Sequence, residues 1–190
     1  MDASSNERWD EDPGWRFSLG SLRAMLPILQ TRYYRSLGGD QLVIQRTVFS
    51  SFVMAFVWFG IIVTLITPFR AESGEYGWMA AIAIIALANL AIARVVERPL
   101  SCESDQVLAS SFRTRMFVRI AFAESTVLLG FIGSNIAMGA SIYYVGVLVS
   151  LPGMLRAAPN RAALVRDQDE LTGGGCSRSL VAALRQVPPK

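Results

Sequence analysis

One carboxylate in this sequence draws the eye because of where it stands. Glu124 lies inside the apolar stretch FRTRMFVRIAFAESTVLLGFIGSNIAMGA, residues 112–140. Crossing a bilayer takes about 20 apolar residues, so the stretch is long enough. A charged side chain within such a helix costs on the order of 2.5–3.5 kcal/mol on insertion scales. Desolvation disfavours the charged form, so a carboxylate held there is a candidate group for binding a proton or a cation. The structural alternative is a carboxylate that fixes helix packing through Asn89, Asn135, a tyrosine or an arginine. Asn135 follows Glu124 by eleven residues, about three turns. The two therefore share a face, with Leu128 and Phe131 between them. Asn89 is the lone amide of the preceding apolar stretch. Glu124, Asn135 and Asn89 form the candidate proton- or cation-binding set.

Other chemistries have little to stand on. The chain has no histidine, which removes histidine ligation of haem, most zinc and copper sites, and imidazole acid–base catalysis. It has no GxSxG, no HExxH and no paired intramembrane aspartates. The run Gly173-Gly174-Gly175 is not followed by Gly-Lys-Ser/Thr, so it reads as a linker and not as a phosphate loop. Cys102 and Cys176 lie far apart in polar segments with no CxxC and are expected to be two free thiols. The expectation is a non-enzymatic protein with no cofactor and no metal.

The elements that must position Glu124 are membrane helices. Of 190 residues, 52% are hydrophobic and only 17% charged, whereas soluble domains carry about 25% charge. The pattern predicts an all-α integral membrane four-helix bundle with spans near 48–67, 78–96, 114–137 and 141–155. Arg46 and Pro68 bracket the first span, and Tyr76 and Trp78 begin the second at the expected aromatic belt. Ala80, Ala83, Ala86, Ala88 and Ala91 line the second span with small residues. In the third, Thr126, Gly130 and Ser134 repeat every fourth residue, and Gly133 and Ala137 add a second small pair. Small residues let membrane helices approach closely, so this face is assigned to helix packing. Arg119 is expected to reach back to the boundary. Residues 137–140 make a tight turn into the short fourth span, which contains Pro152 and exits at Arg156.

The ends differ in character. Residues 1–46 form a tail: the acidic start MDASSNERWDEDPGW has no signal-peptide core and reads as disordered. Leu19, Leu22, Met25, Leu26 and Leu29 then recur at helical spacing beside Arg16, Arg23, Arg32 and Arg35. That pattern fits a basic amphipathic helix anchored on the membrane surface, interrupted by Pro27. Residues 99–112 are polar, and Ser101 or Ser104 is placed to cap a helix running into the third span. Residues 157–190 form a second tail. Asn160 is placed to cap a helix over 161–171, and 177–185 is a second short helix.

Charge sets the orientation. Of the 18 Lys and Arg residues, all but Arg70 fall before the first span, between the second and third, or after the fourth, boundary residues included. By the positive-inside rule both termini are cytoplasmic, in an inner (cytoplasmic) membrane. Both cysteines then face a reducing compartment. The net charge of +3 is explained by these flanking arginines and not by nucleic acid. The expected partners are the lipid bilayer and either other membrane subunits or further copies of the chain.

The segment FRTRMFVRIAFAESTVLLGFIG resembles the second helix of the rotary ATP synthase c-subunit hairpin, through Phe122-Ala123-Glu124 and Leu128-Leu129-Gly130. The second span and Glu97-Arg98-Pro99 are similar to that family's first helix and polar loop, so the resemblance covers residues 78–137. It implies that Glu124 is an ion-carrying carboxylate. The chain departs from the family in lacking a glycine ladder in the second span, in a longer connection and in two additional spans. The arginine-rich, nearly lysine-free composition also resembles that of small membrane proteins of high-GC actinobacteria. Two functions follow: an accessory or scaffold subunit of a membrane complex, or a subunit that translocates protons, cations or a small solute.

Overall fold

The computed structural model describes residues 41–67 and 75–185. The expected amphipathic helix with Arg16, Arg23, Arg32 and Arg35, the acidic N-terminus, the loop bearing Arg70 and the Pro188-Pro189 end lie outside the described residues. Among the described residues all regular structure is helical: α1 (Gln41–Ile66), α2 (Glu75–Val96), α3 (Asp105–Ile136), α4 (Ala140–Ala157), α5 (Arg161–Gly173) and α6 (Leu180–Arg185). The first four are long and apolar enough to cross a membrane, so the expected four-span helical architecture is present.

Local chemistry explains the boundaries. The Ser104 hydroxyl accepts the Val107 N–H at 3.2 Å, capping α3, which runs without a break through the expected third span. α3 ends where Gly139 N–H reaches back to Ser134 C=O at 3.0 Å and Ala137 N–H to Gly133 C=O at 2.9 Å. Met138 takes the left-handed turn position, φ 53°, usual for a residue just past a helix C-terminus. α4 starts one residue before the expected 141 and passes through Pro152 to Ala157. Asn160 caps α5 through its side-chain oxygen and the Ala163 N–H, 2.8 Å. Gly174 and Gly175, the latter at φ 82°, then close it.

The chain divides into two compact units, with α1 and α3 contributing to both. Among the described residues, unit 1 takes 41–51, 98–115 and 158–185. Its core joins Leu42 of α1, Leu108, Ala109 and Phe112 of α3, Leu164 and Leu171 of α5, Cys176, and Leu180, Ala183 and Leu184 of α6. The expected C-terminal tail is therefore largely folded, because its short helices bury their apolar faces on the starts of α1 and α3. Polar contacts fix it: Arg46 Nε donates to Pro159 C=O at 3.0 Å. Arg115 pairs with Glu170 at 2.8 Å, and Arg178 pairs with Asp105 at 2.7 Å.

Cys102 and Cys176 are not free thiols but form a disulfide, with Cα atoms 5.9 Å apart. The two residues are 74 positions apart in sequence, and only the folding of 98–115 and 158–185 into one unit brings them together.

Unit 2 comprises 52–97 and 116–157. α3 and α4 cross backbone to backbone: a Cβ on Gly130 would lie 3.3 Å from Gly146 Cα, and one on Gly146 would lie 3.3 Å from Thr126 C=O. A Cβ on Gly133 would meet Ile142 of α4 at 3.2 Å and Trp78 of α2 at 3.4 Å. The α1 portion of this unit is held by rings: Phe59 lies on Phe131 with centroids 5.1 Å apart, and Phe52 meets Phe117 edge-on at 6.4 Å. The buried Tyr143 hydroxyl donates to Phe56 C=O. Leu65, Leu87 and Val95 stay exposed, which suits helices whose outer faces meet lipid.

Candidate functional site

The polar groups of unit 2 do not gather around Glu124. They gather where α2, α3 and α4 meet. Glu97 is the residue after α2. Arg119 of α3 donates to it through Nε and Nη2, one carboxylate oxygen each, both at 3.0 Å. Arg156, in the last turn of α4, donates Nη2 to the same carboxylate at 3.1 Å. The Glu97 side chain is only 4% exposed and that of Arg119 6%. The planar guanidinium fork of Arg119 matches both carboxylate oxygens. Burial alone raises the Glu97 carboxyl, but the hydrogen bonds and charges of Arg119 and Arg156 outweigh it and hold Glu97 below its ordinary value. Arg119, expected to reach back to the boundary, pairs with Glu97, which stands just past the end of α2.

A second polar layer lies one to two turns deeper. The Asn89 amide donates to Ser125 Oγ at 2.9 Å and to Thr126 Oγ1 at 3.1 Å. A small cavity of about 20 Å³ is lined by Asn89, Glu97, Arg119, Thr126, Ser150 and Arg156 among others. That volume is enough for about one water molecule. At the opposite end of α2, Glu75 is buried and accepts the Ser141 hydroxyl. It lies at the start of α4, where the helix dipole favours an anion, and a Cβ on Gly139 would overlap its carboxylate.

The predicted set therefore separates. Asn89 faces Ser125 and Thr126. Asn135 donates to Phe131 C=O of its own helix at 2.7 Å. Glu124 is half-buried on α3, on the heptad row between Phe117 and Phe131, whose rings meet Phe52 and Phe59 of α1. Among the described residues it makes no hydrogen bond or ion pair. The packing set holds together: Thr126, Gly130, Gly133 and Ser134 are buried on α3 and Ala137 is half-buried. The Glu97 centre was missed because its members stand 22 and 59 residues apart, each looking like an ordinary boundary charge. The one available signal was an acid beside arginines at span ends on the same side.

Among the described residues, no group of three or more Cys, Asp or Glu is placed to hold a metal ion. A larger groove of about 550 Å³ between α1 and α4, lined by Val57, Ile61, Leu65, Tyr144, Val147 and Leu151 among others, is almost wholly apolar. What the geometry does chemically is hold a buried carboxylate in its charged form at a helix junction, where it joins α3 and α4 to the end of α2 through two arginines.

In comparisons with known proteins, no family model, curated protein or solved structure matches the chain.

Proposed function

We propose that this integral membrane protein is a non-enzymatic accessory or scaffold subunit of a membrane complex, inserted in an inner (cytoplasmic) membrane with both termini in the cytoplasm. The observation that carries this reading is unit 1. Three separate stretches of chain build a body with its own buried core, fixed by a disulfide and by ion pairs at both Arg115 and Arg178. A folded body of this kind offers a surface on which a partner subunit can dock. The polar groups at Glu97, Asn89 and Glu75 support the same reading, since each is taken up by another helix of unit 2. The expected partners are lipid together with other subunits or further copies of the chain. Gentle extraction into lipid nanodiscs should yield a defined hetero- or homo-oligomer; a monomer free of other protein would contradict the proposal.

The translocation reading keeps one specific support, the carboxylate of Glu124, which makes no hydrogen bond or ion pair among the described residues. If Glu124 carries a proton or cation, Glu124→Gln abolishes uptake into proteoliposomes without disturbing assembly. A carbodiimide should also modify its protonated form.

A further inference from the structure

We propose that the Cys102–Cys176 bond is a thiol–disulfide exchange site, opened by a dithiol reductant of the thioredoxin class and closed by a low-molecular-weight disulfide of the glutathione type. The inference rests on the orientation given above, which places both cysteines on the arginine-rich, cytoplasmic side. Disulfides there are rare and, where found, are usually transient or redox-sensing. The bond in unit 1 has the asymmetry that exchange needs. Cys102 lies exposed in the connection between α2 and α3, whereas Cys176 is 7% exposed within the unit 1 core.

An incoming thiolate therefore reaches Cys102 Sγ. It forms a mixed disulfide there and breaks the bond to Cys176, which leaves with the electron pair and takes up a proton. The second thiolate of the reductant attacks its own sulfur in the mixed disulfide and releases Cys102, which is protonated in turn. The chain gains two electrons and two protons, and the reductant ends as a disulfide. Glutathione disulfide runs the sequence in reverse.

The surroundings make the opening reversible. A free cysteine behaves as a small apolar side chain, so reduced Cys176 stays compatible with its core site. Arg178 ties the same two segments without the sulfurs: its Nη1 pairs with Asp105 at 2.7 Å and its Nε donates to Cys102 C=O at 3.2 Å. The thiols thus remain neighbours after reduction and can close again. Opening removes the covalent tie between the 98–104 connection and the segment after α5 and leaves the Arg178 contacts to hold them, a change confined to unit 1.

The test counts thiols in cells expressing the full chain. Cells are quenched in acid and free thiols blocked with N-ethylmaleimide. Disulfides are then reduced and tagged with a maleimide polymer that shifts the band on a gel. The tagged fraction should rise after brief diamide treatment and fall when the oxidant is washed out. A tagged fraction that stays complete, or stays at zero, under both treatments would overturn the proposal. With purified full-length protein, a thioredoxin lacking its resolving cysteine should be trapped on Cys102; trapping on Cys176, or none, would overturn the assigned direction of attack. Orientation is read separately, by labelling Ser73→Cys with an impermeant maleimide in a Cys102→Ser/Cys176→Ser background. Labelling of that site from outside, with an unresponsive disulfide, defeats the exchange site alone. Failure to label defeats the orientation as well.

Discussion

Two carboxylates in the same unit, both among membrane helices, meet opposite fates. Glu97 is nearly sealed from solvent and held by two arginines from two other helices. Glu124 is half-buried and makes no hydrogen bond or ion pair among the described residues. The difference follows from position. Glu97 stands at a span end, where arginines on α3 and α4 come level with it. Glu124 stands five residues beyond Arg119 on α3, on the row between Phe117 and Phe131, whose rings meet Phe52 and Phe59 of α1 and no charged group of that helix among the described residues. The carboxylate that is paired ties helices together, whereas the half-buried one has no such part among the described residues.

The largest expected effect breaks the paired site. Glu97→Ala removes the carboxylate that Arg119 and Arg156 share, and removing one partner of a buried pair costs roughly 3–5 kcal/mol. Thermal unfolding in nanodiscs should show a large drop, and Arg119→Ala a similar one. The same site sets an acid limit. Its carboxyl is held below the ordinary glutamate value of 4.5, so the stability it contributes is present above that pH and is lost as pH falls further, through the folded value. The wild type should lose melting temperature on acidification below about 4.5, while Glu97→Gln should lack that step.

Next comes the staple of unit 1. Cys102→Ser removes a cross-link of a kind that contributes about 2–4 kcal/mol. The loss should fall at the lower end, because most of the chain between the cysteines is α3 and α4, which remain helical in the bilayer when unit 1 opens. Limited proteolysis within 98–104 should accelerate in this variant, with the unit 2 helices unaffected. Gly146→Val should cost about 1–3 kcal/mol by overpacking, since a Cβ there would lie 3.2 Å from Gly130 Cα. The smallest effect is that of Glu124→Gln, within about 0.5 kcal/mol. A large destabilisation by this change would erase the contrast between the two carboxylates.

Much of this fold was legible in the residues. Apolar length, together with the flanking arginines, prolines and aromatics, located the four spans, the short fourth one by the turn before it and Arg156 after it. Ser104 and Asn160 announced their helices because capping is a local act, completed within three residues. The row Thr126–Gly130–Ser134 was readable as a packing face, though nothing in it identified Gly146 as its partner. The Glu97 centre and the disulfide were out of reach for the same reason: each joins residues whose proximity exists only after the helices assemble. Boundary arginines fit a topology rule equally well whether they face headgroups or clasp a glutamate. Two cysteines without a motif carry no information about their distance.

The proposal that this chain acts as a subunit is tested most directly by native mass spectrometry of the protein released in nanodiscs from membranes that express it at its own level. The expected result is a species of fixed stoichiometry heavier than one chain, carrying either a second protein or further copies. That assembly should survive Glu124→Gln and be lost when unit 1 is opened by Cys102→Ser together with Arg178→Ala. A single chain with lipid alone, in the wild type, would contradict it.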